Sequence, residues 1–182
     1  IKEDAEWLIR MVENILTVTR ISEETGTISK TPEAAEEIIS EAVMKFRRRY
    51  DVPVEITIPD ELMLIPMDAI LIEQVIVNLL ENSVLHGKTT TLIKLTLSSD
   101  GENAVFSVAD NGSGINEKKL PMLFSGYFIH AEEQSGDVKR NMGIGLSVCL
   151  TIIKAHGGTM TAGNLPEGGA EFTFTLPLER TL

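Results

Sequence analysis

Apolar positions along the chain follow two periods, and the points where one gives way to the other mark its elements. In residues 1–21, IKEDAEWLIRMVENILTVTRI, apolar side chains recur at Leu8, Met11, Ile15 and Val18, with spacings of 3, 4 and 3. That is the seam of an amphipathic helix, widened by Trp7 and Val12. One helix cannot hide such a stripe alone, so it is expected to pack on its own domain or on a partner helix. Residues 22–31, SEETGTISKT, are polar and read as a loop and boundary, with room for a short strand. Thr31 then reads as an N-cap with Pro32 at the first helical position, opening a helix to about Tyr50. Lys45, Arg47, Arg48 and Arg49 fall in its last turns, where cations complement the helix dipole.

Further on the period shortens to two. VPVEITI (52–58) and LMLIPM (62–67) read as strands around the turn Pro59-Asp60. Asp68 is expected to cap a helix that ends near Gly87, with Ile70, Leu71, Val75, Ile76, Leu79 and Leu80 on its core side. TTTLIKLTLSS (89–99) and NAVFSVA (103–109) flank Ser99-Asp100-Gly101, a hairpin signal. A polar stretch, 125–142, precedes an apolar helix from about Gly143 to His156. TMTAG (159–163) and EFTFTLPL (171–178) complete a second hairpin, with Phe172, Phe174 and Leu176 alternating onto one face. Strands joined mostly by hairpins predict a mixed, largely antiparallel sheet. With helices on one face this is an α+β chain, a two-layer α/β sandwich. No regular βαβ alternation points to a doubly wound fold.

Composition narrows the function. A hydrophobic fraction of 43% over 182 residues supports a packed core, and a net charge of −11 argues against a nucleic-acid partner. Cys149 is the single cysteine, so disulfides are excluded, a reducing compartment is the easy reading, and the residue reads as a small buried hydrophobe. No apolar run approaches the ~20 residues that span a bilayer. The sequence opens on Ile1 in mid-helix and is expected to be a piece of a longer chain.

Three places break the pattern. On the helix from Asp68, Gln74, Asn78 and Asn82 fall at i, i+4 and i+8, a single polar line on an apolar helix. Short amides in register read either as a satisfied polar stripe or as oxygens for a hard cation such as Mg²⁺, which takes few protein ligands plus substrate phosphates. The second break is DNGSGI (110–115) after a strand. It reads as a β-turn exit, or as a strand-end carboxylate placed for an exocyclic amine, with glycines that permit close approach. The third is NMGIGLS (141–147), where Gly143 and Gly145 open a helix whose free N–H groups favour a phosphate, with Lys139 and Arg140 upstream. Gly87-Lys88-Thr89 mimics the end of a P-loop, but position 82 is Asn where that motif needs Gly.

Taken in order, N-x-x-x-N, D-x-G-x-G and G-x-G-L resemble the motifs of the sensor histidine kinase ATP-binding domain, whose Bergerat fold is shared with gyrase, Hsp90 and MutL. IPMDAILIEQVIVNLLENSVLHG and IIKAHGG are similar to a potassium-responsive branch of that family. The resemblance implies that residues 1–24 are the second helix of a dimerisation hairpin and 25–182 a catalytic domain using ATP and Mg²⁺. By the same resemblance, Asn82 coordinates Mg²⁺ with Asn78 in support, and Asp110 binds the adenine amine. Gly112, Gly114 and Ile115 then border the base, 125–142 with Tyr127, Lys139 and Arg140 form a lid, and Gly143, Gly145 and Leu146 meet the phosphates. It further implies a homodimer, a response-regulator receiver domain as partner, and a cytoplasmic position in a membrane-anchored sensor.

The sequence also departs from that family. Leu85 stands where Lys or Arg is common and Ile129 where Arg is common, so a phosphate contact is missing or comes from His86 or Lys88. The family's phosphoacceptor histidine lies upstream of the helix at 1–21, and the histidines here are His86, His130 and His156. The chain is therefore expected to bind ATP without phosphorylating itself on the family's histidine. Two other readings stay open: an ATP hydrolase of the gyrase and Hsp90 kind, and a degenerate nucleotide-binding scaffold. The hydrolases resemble E-x-x-x-N in this helix, whereas Asn78 holds that place and Glu81 points about 100° away from Asn82.

Overall fold

A computed structural model describes residues 1–23, 28–124 and 142–178. In chain order the elements are α1 (Lys2–Glu23), β1 (Thr31–Ala34), α2 (Ala35–Arg47), β2 (Val54–Thr57), β3 (Leu64–Met67) and α3 (Ala69–Leu85). They continue with β4 (Ile93–Ser99), β5 (Asn103–Asp110), a short 3-10 turn (Leu120–Met122), α4 (Met142–Ala155), β6 (Met160–Asn164) and β7 (Ala170–Pro177). The main sheet runs β2-β4-β5-β7-β6, antiparallel except for the parallel β2–β4 pair.

The sheet faces the helices with period two. Cross-strand partners Ala104 and Leu176, Phe106 and Phe174, and Val108 and Phe172 are all buried. Phe106 and Phe174 stack with ring centroids 4.6 Å apart. Against this face lie Ile39 and Phe46 of α2, Ile72, Ile76, Leu79 and Leu80 of α3, and Ile152 and Ile153 of α4. Each such side chain contributes about 1.5–3 kcal/mol on burial. The expected two-layer sandwich is thus formed, and both predicted hairpins, β4–β5 and β6–β7, are present.

Two local expectations are corrected. Thr31 does not cap a helix: Thr31–Ala34 pairs antiparallel with Leu64–Met67, and α2 begins at Ala35. Pro32 lies opposite Pro66 in this two-stranded sheet, where the missing N–H groups interrupt no interior ladder. The opening donor of α2 is met instead by the backbone, Ala35 N–H to the Met63 carbonyl at 3.0 Å. Accordingly β2 and β3 form no hairpin. The turn at Pro59-Asp60 carries the chain from one sheet to the other, and β2 pairs with β4.

Asp68 does cap α3, accepting from Leu71 N–H at 3.1 Å. Ile70 is not on the core side but 77% exposed, two residues inside the cap on the outer face. On α1, Leu8, Val12 and Ile15 are exposed together with Ile9 and Leu16, Met11 and Val18 are half-buried, and Asn14 and Ile21 are buried. The side chain of Trp7 lies outside the described residues. Among the described residues no helix is long and apolar enough to cross a membrane.

Candidate functional site

Asp110 ends β5 on the face that Ala104, Phe106 and Val108 turn inward, so the strand's own alternation carries a carboxylate into the interior. There it is 5% exposed. Its Oδ1 accepts from Gly112 N–H at 2.8 Å and from Ala170 N–H at 3.3 Å. Burial pushes the Asp110 carboxyl above its ordinary range, and these two donors with the Ser83 hydroxyl pull it back.

The loop after Asp110 is docked on the end of α3. Ser113 N–H donates to the Gly87 carbonyl at 2.9 Å. A Cβ at Gly112 would lie 2.5 Å from the Gly87 carbonyl oxygen and 2.5 Å from Thr90 Oγ1. Gly112 therefore serves a backbone contact inside the protein, a reason the sequence does not supply. Asn111 ties the same loop to the start of β4, its Oδ1 accepting from Thr91 and Leu92 N–H at 2.9 and 3.1 Å. Ile115 is a buried core residue.

The polar line on α3 divides into three tasks. Gln74 reaches α1, donating to Asn14 Oδ1 at 2.9 Å and accepting from Thr17 Oγ1 at 3.2 Å. Asn78 reaches α4, its Nδ2 donating to Cys149 Sγ at 3.8 Å. Cys149 is buried, and burial pushes its thiol up to about 12, so it stays protonated and inert. Asn82 is 7% exposed, and its Nδ2 has no hydrogen-bond partner among the described residues. A buried amide donor left in that state costs about 1–3 kcal/mol, and an acceptor such as a phosphate oxygen would satisfy it. A Mg²⁺ ion held chiefly by phosphates would take the carbonyl end of this amide, Oδ1, and not its orphaned donor; no group of three or more His, Cys, Asp or Glu that would make a self-sufficient cage occurs among the described residues.

At the end of α3, Leu85 is half-buried, His86 caps the helix through its N–H to the Asn82 carbonyl at 3.0 Å, and Lys88 is exposed in the left-handed region at φ 55°. Gly143 and Gly145 fall in the first turn of α4, and among the described residues a Cβ at Gly145 would meet nothing within 4 Å. Leu146 is fully buried in the core, so it can meet a ligand through its backbone only. Tyr127, Ile129, His130, Lys139 and Arg140 lie outside the described residues.

Two links join the described motif elements. Ser83 faces the Asp110 carboxylate and follows Asn82 in sequence, while Asn78 bridges α3 to α4. Ser83, beside Asp110, and Asn111, which ties its loop to β4, are residues that motif spacing does not mark. Only their side-chain chemistry, polar residues adjoining a motif or a turn, hints at them. Glu81 is committed elsewhere: buried, it pairs with Arg49 at 3.4 Å and Arg10 at 3.9 Å. His156 is buried too, Nδ1 bonded to the Ile152 carbonyl at 2.7 Å and Nε2 accepting from Asp68 N–H at 3.0 Å, a structural histidine.

A five-stranded mixed sheet covered on one face by helices, with a buried carboxylate closing one central strand, is the framework of a Bergerat-type ATP-binding domain. The chain belongs to the histidine kinase-, DNA gyrase B- and HSP90-like ATPase family, whose model matches residues 67–180. It is 38% identical over 180 residues to the sensor protein KdpD of Clostridium acetobutylicum, covering 98% of this chain and 20% of that protein. To KdpD of Escherichia coli K12 it is 34% identical over 168 residues, covering 92% and 18%. Among solved structures, the catalytic domain of histidine kinase ThkA matches with a TM-score of 0.67 at 26% identity, over 82% of this chain and 96% of that domain. The chain therefore spans about a fifth of the length of the curated relatives named here.

Proposed function

We propose that this chain is the ATP-binding catalytic part of a KdpD-like sensor histidine kinase. In this reading it holds MgATP and presents the γ-phosphoryl group to a histidine outside this sequence, for onward transfer to a receiver aspartate. The observation that carries the reading is the pair Asn82 and Asp110, two buried polar groups on either side of Ser83, in a family that binds ATP. Asp110 takes the adenine amine, with its Oδ1 already fixed by backbone donors. Asn82 takes the magnesium ion, and Asn78 holds α3 against α4 beneath it. The first turn of α4 offers N–H groups at Gly143 and Gly145 to phosphate. Bound Mg²⁺ would neutralise phosphate charge as it develops; the protein's own part is positioning and exclusion of water.

Residues 1–24 then form the second helix of a dimerisation hairpin and 25–182 the catalytic domain. The exposed row Leu8, Ile9, Val12, Ile15 and Leu16 supports a helical partner for α1 and a homodimer. A membrane-anchored, cytoplasm-facing parent protein follows from the KdpD likeness alone. Hydrolysis of ATP to solvent is the weaker reading, since Asn78 cannot act as a base and Glu81 is sequestered by two guanidinium groups.

The test is thermal denaturation with ATP, with and without Mg²⁺. Ligand at 100 times its Kd adds about 2.7 kcal/mol of stability. The wild-type chain should show a magnesium-dependent rise in Tm, Asp110→Asn should show none, and Asn82→Ala should keep only the magnesium-independent part. A wild-type Tm indifferent to ATP would end this reading, and the degenerate scaffold would stand.

A further inference from the structure

The β6–β7 hairpin lies outside every stretch that the sequence marks for nucleotide chemistry, yet it grips Asp110 and the loop after it through three hydrogen bonds. Asn164, at the end of β6, turns both ends of its amide onto one residue. Its Oδ1 accepts from Ile115 N–H at 2.7 Å, and its Nδ2 donates to the Ile115 carbonyl at 2.7 Å. The pair imitates a rung of β-ladder through a side chain, and it needs a donor and an acceptor on the same short group. Gly114 adopts φ +76°, and a Cβ there would sit 2.8 Å from Asn164 Oδ1, so loop and amide are fitted to each other.

From the other strand, Ala170 N–H donates to Asp110 Oδ1 at 3.3 Å. A Cβ at Gly169, which has φ +94°, would lie 1.8 Å from the Asp110 carbonyl oxygen. Asp110 Oδ1 is thus held from two sides, by Gly112 N–H of its own loop and Ala170 N–H of the hairpin. Among the described residues, Oδ2 accepts from no backbone donor.

We infer that Asn164 is a positioning residue of the nucleotide site that sets its preference for a purine bearing a 6-amino group. The inference rests on the proposed role of Asp110 as the acceptor of that amine. Residues 111–115 carry the Gly112 anchor of the carboxylate, and the Asn164 clamp closes the far end of this segment. Opening the clamp frees the loop and lets the carboxylate turn away from the base. Because Asn164 itself is exposed, removing its amide leaves no cavity in the core.

The test compares ATP with ITP, in which oxygen replaces the 6-amino group, by calorimetry on the wild-type chain, Asn164→Ala and the isosteric Asn164→Asp. One net hydrogen bond changes an equilibrium about fivefold. The wild-type chain should prefer ATP by about fivefold or more. Both variants should lose most of that preference while their affinity for ITP changes little. Asn164→Asp keeps the acceptor for Ile115 N–H but sets a carboxylate against the Ile115 carbonyl, so it opens the clamp without changing side-chain size. If Asn164→Ala melts below the assay temperature, Asn164→Asp decides in the same terms. An unchanged ATP-to-ITP ratio in the folded variants overturns the inference even if their Tm falls, since a merely structural role lowers stability and leaves base preference alone. A wild-type chain that binds neither nucleotide overturns the proposed function and this inference with it. Wild-type binding with unaltered variant selectivity sinks the clamp alone.

Discussion

At the scale of single residues, spacing and commitment are different properties. Gln74, Asn78 and Asn82 are equivalent by helical position, yet only Asn82 is both buried and short of a partner. His156 illustrates the opposite case, a titratable group wholly absorbed by structure. Burial lowers its pKa; the Ile152 carbonyl and then Asp68 act to raise it, and Lys30, the smallest influence, lowers it. A folded pKa below the unfolded value of about 6.5 means that the unfolded chain takes up the proton first. The contribution of His156 is therefore complete above that pH and is lost as pH falls from about 6.5 through the folded pKa. Asp110 and Glu81 work in the other direction, because burial raises both carboxyls and acidification relieves their cost. Urea denaturation across pH 5–8 should thus show wild-type stability declining on the acid side more steeply than that of His156→Gln, which should be less stable at neutral pH. Parallel pH profiles for the two proteins would remove His156 as the source.

At the scale of elements, what was legible depended on how local the cause was. The β4–β5 turn is announced by Asp100 and Gly101, and the structure uses both: Asp100 Oδ1 accepts from Glu102 and Asn103 N–H, and Gly101 sits at φ 97°. Thr31-Pro32 carried an equally good local signal for a helix start and became a strand, because its partner strand, Leu64–Met67, is remote in sequence. The parallel β2–β4 pair was hidden for the same reason. Asp110 stands out in the sequence because a carboxylate falls at an inward position of an apolar strand, whereas the bonds of Asn164 could not be read, since its partner lies on another element. Gly112 and Gly145 look alike in sequence and differ in three dimensions. Gly112→Ala would drive a Cβ into the Gly87 backbone and should cost about 1–3 kcal/mol, measured by chemical denaturation. Gly145→Ala meets open space on a helix and should stabilise the nucleotide-free chain by up to about 1 kcal/mol. If phosphates do approach that turn, the same change weakens ATP binding. A Gly145→Ala chain that is more stable and binds ATP as tightly as wild type would move the phosphates away from α4.

At the scale of the whole molecule, α1 packs beside α4, with Met11 and Val18 half-buried, and is tied to α3 by polar contacts. Five of its large apolar side chains, Leu8, Ile9, Val12, Ile15 and Leu16, face outward, and Ile21 near its end is buried. Its named polar contacts reach α3: Asn14 and Thr17 meet Gln74, and Arg10 meets Glu81. Glu81 is shared with Arg49 beyond α2, so a single buried carboxylate joins three segments. Arg49 is half exposed, and screening holds such pairs to roughly 1 kcal/mol or less. The interface between α1 and α3 should therefore open well before the sheet unfolds. Hydrogen–deuterium exchange tests this directly. In Glu81→Gln, or in wild type at high salt, amides of α1 should exchange about fivefold or more faster, a gap of about 1 kcal/mol, while those of β5 and β7 keep their protection. Loss of protection in α1 and the sheet together, at the same salt and to the same extent, would mean instead that α1 is an integral part of one cooperative core.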